Sequence, residues 1–275
     1  MYKLITSDMD ETLLNDNKKI TPKTIDAIKK ASEAGVHFVP NTGRGFMSIQ
    51  HNLIDLGLSQ KPDEYVISNN GAVIVENKEN QILQVNPLQF EIVEQIFEIG
   101  MQENVCVHVY TVDDLYIWNL NEDEKDYLTG RVKDWHIIRG TDIKFLQDTP
   151  ITKIIFNIDE EARRISVQDY VHEHVKFALN VSFSSARYIE FNDPSADKGQ
   201  ATMALAEKLG IKPSEVIAVG DNNNDLPMIK AAGLGISVAN GQDYLQSEAD
   251  YVTQNDNNND PLVEIITNLF LMKSR

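Results

Sequence analysis

Short apolar strands alternate with amphipathic helices at both ends of this chain, and the alternation stops in the middle. In the first third, strands are predicted at 3–7, 36–40 and 64–68. Thr21-Pro22 opens a helix as N-cap and first-turn proline, Gly35 closes it, and "FMSIQHNLIDLGL" reads as a second helix. The last third resumes the pattern with a helix over 199–209 ending at Gly210, a strand "EVIAVG" and a helix over 224–232. Strands "GLGISV" and "DYVT" come next, with a final helix over 260–272. Alternation with helices of this length predicts an α/β fold, a Rossmann-like parallel sheet with helices on both faces.

From about 88 to 186 the pattern changes. Strand-like "VCVHVY", "LYIWNL" and "ITKIIFNI" lie beside helical stretches 89–101 and 160–172, and "TVDD" is placed to turn a hairpin. Hairpins with helices gathered beside them predict an α+β unit inserted into the α/β core, not appended to it. The expected boundaries are 1–87 and 187–275 for the core and 88–186 for the insertion. His108, Tyr110 and Trp118 lie on insertion strands and are read as core residues before substrate contacts. Cys106 is read as a small buried residue, not a nucleophile.

A chain of 275 residues is long for one core, which fits one elaborated domain or two. Acidic residues number 42 against 25 basic ones, a net charge of −17. That field repels nucleic acid and anionic membrane, so neither is expected as a partner. The apolar runs are too short to span a bilayer. "MYKLITSDMD" lacks the basic-then-apolar plan of a secretion signal, and the single Cys106 cannot form an internal disulfide; the expectation is a cytoplasmic protein. Oligomeric state is not legible.

The functional reading rests on the residues directly after each core strand. Strand 3–7 runs into Asp8 and Asp10, and strand 36–40 into "NTGR" with Thr42, Gly43 and Arg44. Strand 64–68 runs into "NNG", with Asn70 and Gly71, and "EVIAVG" into "DNNND", with Asp221, Asn224 and Asp225. Open α/β sheets bind ligands outside the carboxyl ends of their strands, so clusters spread over the whole chain would converge on one crevice. Each alone is a common turn or cap; the coincidence is what counts. Carboxylates gathered without His or Cys call for a hard cation, Mg²⁺ above all. One carboxylate beside it can attack a phosphoryl group, and a second can serve as general acid and base. Thr42 and Lys198 offer a hydroxyl and an ammonium for the phosphoryl oxygens.

The motifs "DMDETLL", "NTGR", "DKGQA" and "GDNNND" resemble, in order, the four motifs of the haloacid dehalogenase-like superfamily. With "SNNGA" after the third strand and the inserted unit, the whole chain is similar to Cof-type phosphatases with a type IIB cap. The resemblance implies an aspartyl-phosphate mechanism with Asp8 as nucleophile and Asp10 as general acid and base. Thr42 and Lys198 would bind the phosphoryl group. Mg²⁺ would be held around Asp8, Asp10 (through its carbonyl), Asp221 and Asp225, with Asn224 and Asp225 supporting the metal and Lys198. Gly43, Arg44, Asn70, Gly71 and Asn224 are the expected substrate-binding set, and the cap would close over the site as a lid. Small phosphate monoesters, sugar phosphates first and pyridoxal or flavin phosphates behind them, would be the substrates. A phosphomutase and a phosphate- and Mg²⁺-binding regulator without turnover remain the alternatives. Two positions depart from the pattern. Glu11 stands where the family most often has Gly, and it is strained if that turn needs a positive φ. "SVANGQD" stands where "VAMGNA" is usual, in a segment expected to support the active-site loop.

Overall fold

The computed structural model describes residues 2–132 and 134–272. It opens with β1 (Leu4–Ser7), α1 (Pro22–Glu33), β2 (His37–Pro40), α2 (Gln50–Leu56), β3 (Tyr65–Ser68), β4 (Val73–Glu76) and β5 (Gln81–Val85). The middle holds α3 (Phe90–Gln102), β6 (Cys106–Thr111), β7 (Leu115–Trp118), α4 (Glu122–Leu128) and β8 (His136–Ile137). It continues through β9 (Ile151–Asn157), α5 (Glu161–His174), β10 (Asn180–Ser184) and β11 (Tyr188–Asn192). The last part runs α6 (Lys198–Lys208), β12 (Val216–Gly220), α7 (Leu226–Ala231), β13 (Leu234–Ser237), α8 (Asp243–Glu248), β14 (Tyr251–Val252) and α9 (Pro261–Met272).

Two compact units result, one of Met1–Gln84 with Asp197–Arg275 and one of Val85–Ala196. The first is built on a five-stranded sheet in the order β14-β13-β12-β1-β2. Every paired neighbour in it is parallel. Leu4, Val39 and Val216 pack with Ala201 and Leu205 of α6 on one face. Ile5, Phe38 and Ile217 point the other way by strand alternation and are also wholly buried, so both faces are covered. Local sequence sets the helix ends. Thr21 Oγ1 accepts the Thr24 N–H at 3.2 Å, Pro22 occupies the first turn, and Gly35 leaves at φ +83°. The stretch predicted as one helix over 46–58 starts as a 3₁₀ turn (Phe46–Ile49) and becomes α-helical only at Gln50, ending at Gly57 in the left-handed conformation.

The strand after α2 departs from the expected layout. The alternation predicts β3 among the parallel core strands, but it belongs to a separate three-stranded sheet, β3-β4-β5, and pairs antiparallel with β4. One parallel bridge, Asn41 to Ile67, joins it to the end of β2. The reversal arises from "NNGA": Asn69, Asn70 and Gly71 all take positive φ, and the chain turns back directly into β4.

The second unit is a six-stranded sheet in the order β10-β11-β9-β6-β7-β8, antiparallel throughout its described pairs except β7 with β8. Val93, Ile96 and Phe97 of α3 and Val167 and Val171 of α5 pack on the face that carries Val107, Val109, Ile154 and Phe156. Leu128 of α4 covers Cys106, Leu115 and Ile117 on the other face. The unit extends beyond the 88–186 span read from sequence because β11 pairs with β9 and β10 and carries 188–192 with it. Trp118 packs edge-on against Phe97, and His108 and Cys106 are buried.

Candidate active site

Parallel strands in register end on one edge, and that brings the separated motifs together. β1 lies between β12 and β2, with Ser7 opposite both Val219 and Pro40. The Asp8 N–H donates to Val219 O at 2.9 Å, so Asp8 leaves β1 beside the end of β12, where Asp221 begins its loop. On the other side Asn41 N donates to Ser7 O at 2.8 Å and Thr42 N to Ile67 O at 2.9 Å. Asn70 N then donates to Thr42 O and Asn69 N to Arg44 O, each at 3.0 Å, which ties the backbone of "NTGR" to that of "NNG".

Lys198 is the centre of the site. It begins α6, which Asp197 caps by accepting the Gln200 N–H at 2.7 Å, and its side chain is fully buried. Its ammonium donates to Asp8 Oδ1 at 2.5 Å and to Asp225 Oδ1 at 2.6 Å. The second oxygen of Asp225 accepts the backbone N–H groups of Asp221 and Asn222 at 2.9 and 3.1 Å. Carboxylate oxygens of Asp8, Asp221 and Asp225 lie within 4.8 Å of one another.

Three buried carboxylates face one ammonium, an imbalance of charge. Burial raises the Asp8 carboxyl well above the usual range although Lys198 pulls against it, and Asp225 and Asp221 add to the rise. Burial, reinforced by Asp225, lifts Asp221 to about 7 despite the Thr12 hydroxyl and Lys198. Burial alone would lower Lys198, but Asp225 and Asp8 outweigh it and hold the ammonium firmly charged. An all-oxygen donor set with uncompensated negative charge fits a hard divalent cation.

Asp10 stands apart from that cluster. Burial pushes its carboxyl up, yet the Arg44 guanidinium and Lys18 outweigh it and hold the group below the usual range. Arg44 grips both oxygens, Nε on Oδ2 at 2.8 Å and Nη2 on Oδ1, and Lys18 Nζ lies 3.3 Å from Oδ1. The Asp10 carboxylate, expected as general acid and base, is thus engaged by two cations in this arrangement. Thr42 is buried, and its hydroxyl oxygen accepts the Arg44 N–H at 3.1 Å. Asn224 Nδ2 donates to Asn70 Oδ1 at 3.2 Å, joining two of the expected substrate-binding residues. A side chain on Gly43 would press on Asn70 Oδ1 at 3.0 Å. Gly71, at φ +96°, passes so close to α6 that a Cβ would lie 2.3 Å from Asp197 O.

Two supporting groups are not legible in the sequence. Thr12 Oγ1 donates to Asp221 Oδ1 at 2.8 Å, and Asn41 Nδ2 donates to Lys198 O at 3.2 Å and to Thr202 Oγ1 at 3.1 Å. Gln242 N donates to Asp221 O at 2.8 Å, so the "SVANGQD" segment does brace the loop that carries Asp221. Thr12 and Asn41 both sit inside quoted motifs, but nothing in a linear motif says which way a side chain turns. Glu11 does adopt positive φ, +61°, a conformation that costs a non-glycine residue roughly 1–2 kcal/mol.

The chain belongs to the haloacid dehalogenase-like hydrolase family, which matches it over residues 5–266. Within that family it is a Cof-type phosphatase, an enzyme. YxeH of Bacillus subtilis is 31% identical over 257 residues, 94% of each chain. The 5-amino-6-(5-phospho-D-ribitylamino)uracil phosphatase YcsE of Bacillus subtilis is 30% identical over 251 residues, covering 91% of this chain and 89% of that one. The solved structure of the subclass IIB sugar phosphatase BT4131 has the same fold, with a TM-score of 0.84 over 98% of this chain and 99% of that one at 18% identity. Among the described residues, no helix is long and apolar enough to cross a membrane.

Proposed function

We propose that this phosphatase hydrolyses small phosphate monoesters, sugar phosphates first among them, with Mg²⁺ and through a phosphoryl group carried on Asp8. The observation that carries the reading is the buried Lys198 bridging Asp8 and Asp225 while Asp221 completes a three-carboxylate cluster. Asp8, Asp221 and Asp225 would hold the cation, which supplies charge neutralisation for the phosphoryl oxygens when bound. Asp8 Oδ attacks phosphorus, the ester P–O bond breaks, and the leaving oxygen takes its proton from Asp10. Water, deprotonated by the same Asp10, then cleaves the acyl phosphate and restores Asp8. Lys198 and the Thr42 hydroxyl hold phosphoryl oxygens during both displacements.

Asp10 is a carboxylate while Arg44 grips it, so before the first step that pair opens and the carboxylate takes a proton from solvent, the proton it then gives to the leaving oxygen. A dianionic substrate competes for the guanidinium, and the reading therefore includes transfer of Arg44 from Asp10 to the substrate. Substrate discrimination is assigned to the inserted unit, since the core clusters offer charge and hydrogen bonds but no apolar surface for a leaving group. YcsE, by its name, acts on a ribitylamino-uracil phosphate, which puts such phosphates on the panel to be tried here beside sugar, pyridoxal and flavin phosphates.

The test is phosphate release across a panel of such monoesters, with Mg²⁺ and after exhaustive chelation. Release that needs Mg²⁺ and favours sugar phosphates is the expected result. Isomer interconversion without net release would instead mark a phosphomutase. Surface substitutions in the inserted unit should reorder kcat/KM across the panel while leaving the Mg²⁺ requirement unchanged.

A further inference from the structure

Between Asp10 and Leu14 the chain makes a tight loop, closed by a bridge between those residues and by the Leu14 N–H donating to Met9 O at 2.7 Å. At its tip Glu11 holds a left-handed backbone with its side chain in solvent. Side chains prefer to avoid that conformation, so something outside the loop has to favour it. From outside the loop the Glu11 carbonyl is met by Asn240, whose Nδ2 donates to it at 2.7 Å.

Asn240 is itself held in place. Its Oδ1 accepts the Asn257 N–H at 2.9 Å. The buried Asn257 then reaches the far end of the same loop, its Nδ2 donating to Leu14 O at 3.2 Å and to Asp16 Oδ1 at 3.0 Å. Two asparagines from the segments after β13 and before α9 therefore grip the loop at both ends, and they are linked to each other. The peptide that Asn240 holds joins Glu11 to Thr12. On one side of it stands Asp10 with its carboxylate in the Arg44 fork, and on the other stands Thr12 with its hydroxyl on Asp221.

We infer that Asn240 is a positioning residue for the phosphoryl transfer proposed above: by holding the Glu11 carbonyl it keeps the left-handed turn that aims Asp10 and Thr12 in their separate directions. The inference rests on the phosphatase reading. Asn240 touches neither reacting atoms nor the carboxylate cluster; it acts through the Glu11 backbone. Its effect must therefore depend on how readily residue 11 adopts positive φ by itself. Glycine adopts it without help.

The experiment measures kcat and KM for an aryl phosphate at saturating Mg²⁺, with thermal melting alongside, for Asn240→Ala and Asn240→Asp, each in the natural and the Glu11→Gly background. Wild-type turnover is measured first; its absence overturns the phosphatase reading itself, separately from the role of Asn240. With turnover present, Asn240→Ala should lower kcat about tenfold, with KM within about twofold and a melting temperature close to wild type. Asn240→Asp, which keeps the acceptor for Asn257 but turns an oxygen towards the Glu11 carbonyl, should be at least as damaging. In the Glu11→Gly background the loss from Asn240→Ala should shrink to less than about threefold. A merely structural role would move the melting temperature and not the dependence on residue 11. Full kcat in Asn240→Asp, or the same proportional loss in both backgrounds, overturns the inference. A Glu11→Gly background too slow to show the coupling overturns it also, because glycine must tolerate the turn if the left-handed backbone is what matters.

Discussion

Lys198 Nζ and Asp8 Oδ1 lie 2.5 Å apart although 190 positions of sequence separate the two residues. The same ammonium reaches Asp225 at 2.6 Å, and both the lysine and Asp225 are wholly buried. An unpaired charge at such depth is costly, so the buried ammonium and its carboxylates compensate one another. Removing the cation should therefore cost stability as well as catalysis. Lys198→Met is expected to destabilise the protein by about 3–5 kcal/mol, and Asp8→Asn placed on top should restore part of that loss. Denaturant unfolding of the single and double variants measures both; a single variant as stable as wild type would contradict the pairing.

Asp8→Asn alone keeps shape and leaves Lys198 paired with Asp225, but removes the nucleophilic charge. Turnover is expected to fall on the order of a thousandfold or more, with the fold intact by circular dichroism. Residual kcat within about tenfold of wild type would remove Asp8 from the nucleophile's role.

Asp10→Asn should slow both halves of the reaction if, as proposed, one group protonates the leaving oxygen and later activates water. In single-turnover assays the first-step loss should be smaller for aryl phosphates, whose leaving groups need little protonation, than for alkyl phosphates. Equal losses for both would assign the proton transfer elsewhere.

On the proposed reading, Asp221 connects metal binding to pH. Its folded-state pKa of about 7 lies above the ordinary carboxylate value, so folding takes up a proton between the two. That contribution to stability is fully present below the unfolded value and is lost as pH rises through about 7. Metal-free Asp221→Asn should accordingly be more stable than wild type at pH 8 by about 1–3 kcal/mol, with the gap closing towards pH 4. Mg²⁺ should stabilise the wild type and do little for the variant. Melting curves that show no growth of the gap between acid and pH 8 would refute this.

Gly71→Ala should damage the site from outside the carboxylate cluster. The added Cβ would sit 2.3 Å from Asp197 O, at a φ of +96° that side chains avoid. A loss of about 2–4 kcal/mol is expected, together with a lower kcat, because Asp197 caps the helix that begins with Lys198. Wild-type melting in this variant would show that the close approach can relax without penalty.

The strand ends are readable because polar clusters, such as Asp8 with Asp10 or Asp221 with Asp225, follow one strand after another; each alone is a common turn, and the coincidence is the signal. Helix limits are readable where a cap is local, as at Thr21-Pro22 and Gly35. Elements without such marks escape the reading. β10, "NVSFS", is an edge strand with polar and apolar residues mixed, β8 has only two residues, and α4 and α8 are short helices whose patterns give little periodicity. β3 is recognisable as a strand, but its sheet is not, since pairing partners depend on the turn at Asn69–Gly71 and not on the strand's own apolar residues.

The sequence by itself determined the order of the motifs, the kinds of donor they carry and the period that separates an α/β core from its α+β insertion, because these depend on residue type and local spacing. Only the tertiary structure decided which carboxylates share a cation. Asp8 and Asp10 are two positions apart, yet Asp8 turns towards Lys198, Asp221 and Asp225 while Asp10 turns towards Arg44 and Lys18. The physical reason is that side-chain direction after a strand is set by the backbone of the loop it enters. That backbone, with Glu11 at positive φ, is held by Asn240 from the far end of the chain. No reading of the seven residues "DMDETLL" alone contains that contact.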